Sequence, residues 1–162
     1  MKGKTKVIAH LNDALRAELI AISQYFLHAE MCENWGYAKL GAFIKKQSID
    51  EMRHAEQVIE RILFLDGTPN LGMGLKLNVG KTVKDQLEAD LKLEIEAIEL
   101  YNASAMVCAA EGDSVSRDLF DRMTQDEERH IDFLENQLQI IHDVGIQNYL
   151  LSQTGGGAAE QA

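Results

Sequence analysis

From Thr5 onward the chain sets apolar residues three and four positions apart: Ile8, Leu11 and Leu15, then Ile22, Tyr25, Ala29 and Cys32. With 3.6 residues per turn, that step returns each of them to one side of a helix, so the pattern predicts a helix over about Thr5 to Asn34 with a buried seam. A second is predicted from Ala38 to Leu65 on Leu40, Ile44, Val58, Ile62 and Leu65. A third runs from Val83 to Glu111 on Leu87, Leu91, Ile98, Tyr101, Ala105 and Cys108, and a fourth from Ser114 to Asp143 on Phe120, Met123, Leu134, Leu138 and Ile141. "GIQNYLLS" makes a short fifth helix, and the stretch that follows, "TGGGAAEQA", has the composition of a disordered tail. Residues 1–152 are thus expected as one all-α domain, with 153–162 a flexible C-terminal tail.

Between the second and third helices lies "DGTPNLGMGLKLNVGKT", rich in glycine and holding the only proline, Pro69. An extended chain covers about 3.3 Å per residue and a helix about 1.5 Å, so this linker is long enough to run the length of a long helix. One long crossover of that kind, between helices 2 and 3, predicts a ferritin-like four-helix bundle.

The seams are interrupted by charge: Glu18 in the first, Glu51 and His54 in the second, Glu94 in the third, Glu127 and His130 in the fourth. They are related by a repeat. Shifted by 76 residues, Leu15 to His54 aligns on Leu91 to His130 with 12 of 40 pairs identical, among them Glu18/Glu94, Tyr25/Tyr101, Gly36/Gly112, Glu51/Glu127 and His54/His130. The repeating unit therefore reads as two helices joined at a glycine. In each unit the two glutamates are 33 residues apart, with their midpoint beside that glycine. Residues equally far from an antiparallel turn lie at the same height, so four carboxylates are predicted to meet in mid-bundle.

Each His lies three residues after a Glu, one turn along the same face, where two ligands can address one metal. Four ionised carboxylates in a core would be ruinous without positive charge among them. Two divalent cations balance the four negative charges, with two neutral imidazoles completing the shells. Oxygen and nitrogen ligands suit iron or manganese, and the absence of thiolate speaks against a structural zinc. Cys32 and Cys108 are too few for a disulfide framework and lie too far along their helices from the glutamates to be ligands; they read as reduced core thiols. His10, His28 and His142 fit no ligand spacing and are expected in exposed or packing roles.

A net charge of −10 argues against a nucleic-acid groove and gives a surface that concentrates cations. The start, "MKGKTKVIAHLND", has no apolar export core, and no run of about 18 apolar residues occurs, so the expectation is a cytoplasmic protein that binds no membrane.

The repeated block differs at one place: "DEMRH" carries Met52 where "DEERH" carries Glu128. Met52 is about 100° from Glu51 around the helix and so projects away from the metal-facing seam. With Leu19, Ile22, Phe26 and Ile49 it makes a candidate dimer patch, and a thioether at a two-fold axis is also able to ligate haem iron.

The stretches "ELIAISQYFLHA", "SIDEMRHAE", "ERILFLDGTPNL", "SRDLF", "DEERHIDFLE" and "GIQNYL" follow one another in an order and register that resemble the bacterioferritins over nearly the whole chain. The resemblance implies a homo-oligomeric shell of 24 subunits built from two-fold dimers. Each subunit would oxidise Fe(II) to Fe(III) at a di-iron ferroxidase centre, with O2 or H2O2 as oxidant, and the shell would store ferric mineral, released with a ferredoxin or reductase as partner. Position by position, it implies Glu18 and His54 on one iron, Glu94 and His130 on the other, Glu51 and Glu127 bridging, and Tyr25 hydrogen-bonding near the site. Met52 would be the axial ligand of a haem b shared across the two-fold axis. Where the family often places a His and a further acid beside Asp50, this chain has Lys46 and Gln47. At Phe133, relatives can carry a redox-capable aromatic residue.

Overall fold

The computed structural model describes residues 1–155. Five helices follow one another: α1 (Thr5–Asn34), α2 (Ala38–Phe64), α3 (Val83–Ala110), α4 (Ser114–Val144) and the short α5 (Ile146–Ser152). Each of the four long predicted helices is present to within a residue of its expected ends. None is long and apolar enough to cross a membrane. Most of the tail expected to be flexible, residues 156–162, lies outside the described residues; Gln153 caps α5, and its carbonyl accepts from Lys39 N at 3.0 Å.

The two halves close their turns in the same way. Gly36 (φ 89°) and Gly112 (φ 75°) take the left-handed conformation that a Cβ disfavours. Around them, Tyr37 N reaches the Cys32 carbonyl at 2.9 Å and Asp113 N reaches the Cys108 carbonyl at 2.8 Å. The repeat seen in the residues is therefore a repeat of αα-hairpins, α1 on α2 and α3 on α4, which meet chiefly through α1 against α3. The second hairpin is stitched to the first at its turn, where Arg61 Nη2 donates to Asp113 Oδ1 at 2.8 Å and Arg61 Nε to Ser116 Oγ at 2.8 Å.

The crossover descends α1 as if along a ruler. Asn12 Nδ2 donates to the Thr68 carbonyl, Arg16 to that of Gly74, Gln24 Oε1 accepts from Asn78 N, and His28 Nε2 accepts from Gly80 N. Steps of four and eight along α1 keep these groups on one face. Because His28 Nε2 accepts, its hydrogen is on Nδ1, which faces Asp90 of α3 at 3.0 and 3.2 Å from its two oxygens. His28 is fully buried, which gives it the packing role of the two, exposed or packing, expected for it. Gly80 sits against the first turn of α3, where a Cβ would lie 2.3 Å from Gln86 N.

The core is divided by the charged layer. On one side Leu11, Leu15, Val58, Ile62, Tyr101 and Phe120 pack together; on the other, Tyr25, Cys32, Leu40, Ile44, Leu87 and Leu134. Both cysteines are buried and free, as expected. Burial together with Asp90 pushes the Cys32 thiol up to about 12, and burial together with Asp113 takes Cys108 to about 11, which leaves both inert.

Candidate dimetal centre

The hairpin geometry brings Glu18 of α1, Glu51 and His54 of α2, Glu94 of α3, and Glu127 and His130 of α4 to one height between the two core halves. All four glutamates are 1 % exposed. Two groups form, each with its ligand atoms within 4.8 Å of one another: Glu18, Glu51, His54 and Glu127; and Glu51, Glu94, Glu127 and His130. Glu51 and Glu127 belong to both, one oxygen toward each side. Thus His54 Nδ1 lies 3.3 Å from Glu51 Oε2 and 3.1 Å from Glu127 Oε1, while His130 Nδ1 lies 2.8 Å from Glu51 Oε1 and 3.1 Å from Glu127 Oε2.

Two tyrosines cross over the site. Tyr25 of α1 donates to Glu94 on α3, and Tyr101 of α3 donates to Glu18 on α1. Tyr25 was expected near the site; Tyr101 was missed as a site residue, although the same seven-residue step separates it from Glu94. Asp126 was missed too. Its Oδ2 lies 3.0 Å from His54 Nε2, behind the imidazole.

The donor set fits a pair of cations. Glu18 Oε2 has no hydrogen-bond partner, and Glu51 Oε1 and Glu127 Oε1 face imidazole nitrogens without the alignment of a hydrogen bond. Buried oxygens left this way are costly unless something positive lies between them. The titration behaviour agrees. Burial, reinforced by the Glu51 charge for Glu18 and by the Glu127 charge for Glu94, raises both carboxyls well above the usual range. Burial works against a charged His130, but the carboxylates of Glu127, Glu51 and Glu94 outweigh it and push the ring up to about 12; His54 is raised likewise. For Glu51, burial is outweighed in the other direction by the neighbouring Glu18 carboxyl and by both histidines, and its carboxyl is lowered. A cluster protonated in this way would release protons on taking up metal.

A depression of about 430 Å³ between α2 and α4 opens onto both imidazoles. Lys46 and Gln47 line it beside Asp50, and the stacked rings of Phe43 and Phe133, with centroids 3.9 Å apart, lie along it. His10 and His142 lie elsewhere: His10 Nδ1 is 2.8 Å from Ser104 Oγ, and His142 is exposed.

A four-helix bundle with one long crossover and paired carboxylate–histidine ligands at mid-height defines the ferritin-like class, and the Ferritin-like domain family matches residues 8–144. The bacterioferritin of Brucella melitensis is 46 % identical over 162 residues, covering 100 % of this chain and 99 % of its own length. That of Rhodobacter capsulatus is 46 % identical over 151 residues, with 93 % and 94 % covered, and that of Mycobacterium avium 42 % over 149, with 92 % and 94 %. The chain belongs to the bacterioferritin family.

Proposed function

We propose that this chain is the subunit of an iron-storage shell that oxidises ferrous iron at the mid-bundle cluster and keeps the ferric product inside. The observation that carries this reading is the pair of overlapping four-residue groups sharing Glu51 and Glu127. Glu18 and His54 would hold one iron and Glu94 and His130 the other, with Glu51 and Glu127 between them. Two ferrous ions held side by side by these residues would supply two electrons together to dioxygen or peroxide, which would limit escape of radicals. Tyr101 and Tyr25 orient Glu18 and Glu94 through their hydroxyls, and the two apolar core halves keep bulk water from the site on either side.

Twenty-four subunits, a cytoplasmic location and a ferredoxin or reductase for iron release complete the reading, supported by family membership. Met52 would hold a haem b through its thioether, and the exposure of Met52 on α2, at 48 %, supports this.

Aerobic ferrous titration of metal-free protein tests the centre. A break in the fast rise of ferric absorbance is expected near two irons per chain, at about one per four-residue group, followed by slower uptake of many more. Glu18→Ala should slow the fast phase by about a hundredfold or more, since loss even of an outer partner of a metal site costs about 10–100-fold. Oxidation at the parental rate in that variant would refute the assignment.

A further inference from the structure

We infer that Asp126 is a positioning residue that makes the two metal subsites unequal. The inference rests on the dimetal reading above. His54 and His130 are repeat partners, and each presents Nδ1 to the carboxylates, so each has Nε2 turned away from them. Behind His54, Asp126 Oδ2 stands 3.0 Å from Nε2. The equivalent acid for His130 is Asp50, which makes no hydrogen bond to that ring; its Oδ1 accepts from Nη1 of Arg53 on its own helix at 3.4 Å, as Asp126 Oδ1 does from Arg129. Among the described residues His130 makes no hydrogen bond through Nε2; its one such contact is from Nδ1 to Glu127.

A carboxylate accepting the outer ring hydrogen does two things to a ligating imidazole. It keeps a hydrogen on Nε2, so that it is the Nδ1 hydrogen that leaves when metal binds, and it locks the ring plane. Asp126 is held in turn by Arg129, whose Nη1 lies 2.5 Å from Oδ1. The contact crosses from α4 to α2, so it also joins the two helices whose separation opens the depression above the site. His54 is therefore presented ready to bind, whereas His130 must be ordered by the metal itself. The subsite of Glu18, Glu51, His54 and Glu127 fills first and more tightly than its neighbour.

Cobalt(II) titration of metal-free protein, read by visible d–d absorbance, tests this without turnover. The parent should bind two cobalt ions per chain in two separable steps, about one in each four-residue group. Asp126→Ala should weaken the tighter step by about 10–100-fold and bring the two together. Asp126→Asn keeps an oxygen able to accept from Nε2 and should stay within about threefold of the parent. Asp50→Ala should leave both steps in place. Asp126 is 40 % exposed, so its variants should fold, and circular dichroism checks this. Parental cobalt binding in Asp126→Ala, an equal loss in Asp50→Ala, or a loss in Asp126→Asn as large as in Asp126→Ala overturns the positioning role while the dimetal reading stands. A parent that takes up no cobalt overturns both.

Discussion

Glu51 and Glu127 are the most constrained residues of the chain, because each must serve two neighbours with two oxygens while almost wholly buried. Their cost is met by positive charge, and which charge does so depends on conditions. In metal-free protein the folded state holds both imidazoles above the ordinary value of 6.5, His130 up to about 12. A group raised on folding contributes stability that is full below its unfolded value and lost as pH climbs toward its folded one. Raised Glu18 and Glu94 act in the same direction from 4.5 upward, and lowered Glu51 opposes them only below about that pH. Metal-free protein should accordingly be less stable to urea at pH 9 than at pH 6. Metal-loaded protein should lose that dependence, since cations then replace the protons. Equal urea midpoints at the two pH values in the metal-free form would show that the imidazole–carboxylate pairs do not carry charge as argued.

At the scale of elements, the crossover holds the bundle in register. It touches α1 at Asn12, Arg16, Gln24 and His28, and the buried His28–Asp90 pair carries the last of these contacts through to α3. Gly80 marks where backbone meets backbone. A side chain there meets Gln86 N at 2.3 Å, an approach that only movement of the crossover or of the first turn of α3 relieves. Gly80→Ala should therefore cost about 1–3 kcal/mol, measurable as a lower denaturant midpoint at unchanged slope. Gly74→Ala, in open space on the same crossover, should cost far less. A matching drop in both variants would mean that the cost comes from chain flexibility rather than from contact at Gly80.

For the whole molecule, the difference between the two halves matters more than their likeness. Phe26, Ile49 and Met52 of the first hairpin are about half exposed, and Ser48 Oγ bonded to the Ile22 carbonyl at 2.8 Å holds their helices side by side. Leu19 and Ile22, expected on the same patch, are partly buried against the core and form its floor. The second hairpin has Asn102, Gln125 and Glu128 at the matching positions. One face in the pair is thus apolar, and such a face is suited to a two-fold contact with a second copy. If Met52 is the axial haem ligand there, Met52→Leu should reduce the haem-to-chain ratio of purified protein by about tenfold or more, read from the Soret band. The fast ferrous phase should persist, because Met52 points away from the carboxylates. Haem retained at the parental ratio and with the parental spectrum would remove Met52 from that role.

Period and repeat were enough, without coordinates, to determine the helices, the hairpin pairing, the single long crossover and the six residues at mid-height, because helix geometry turns spacing along the chain directly into position on a face. Met52 could be placed outside the seam by the same arithmetic. Asp126 and Tyr101 could not be given their partners that way. Their hydrogen bonds cross between helices that are far apart in the chain, and whether they form depends on the rotation and separation of packed helices, which spacing leaves free. The same holds for Asp50: it opens its block as Asp126 does, with Glu, Arg and His at the same offsets, and each acid meets its neighbouring arginine, yet only tertiary packing decides that Asp126 alone of the two backs a histidine.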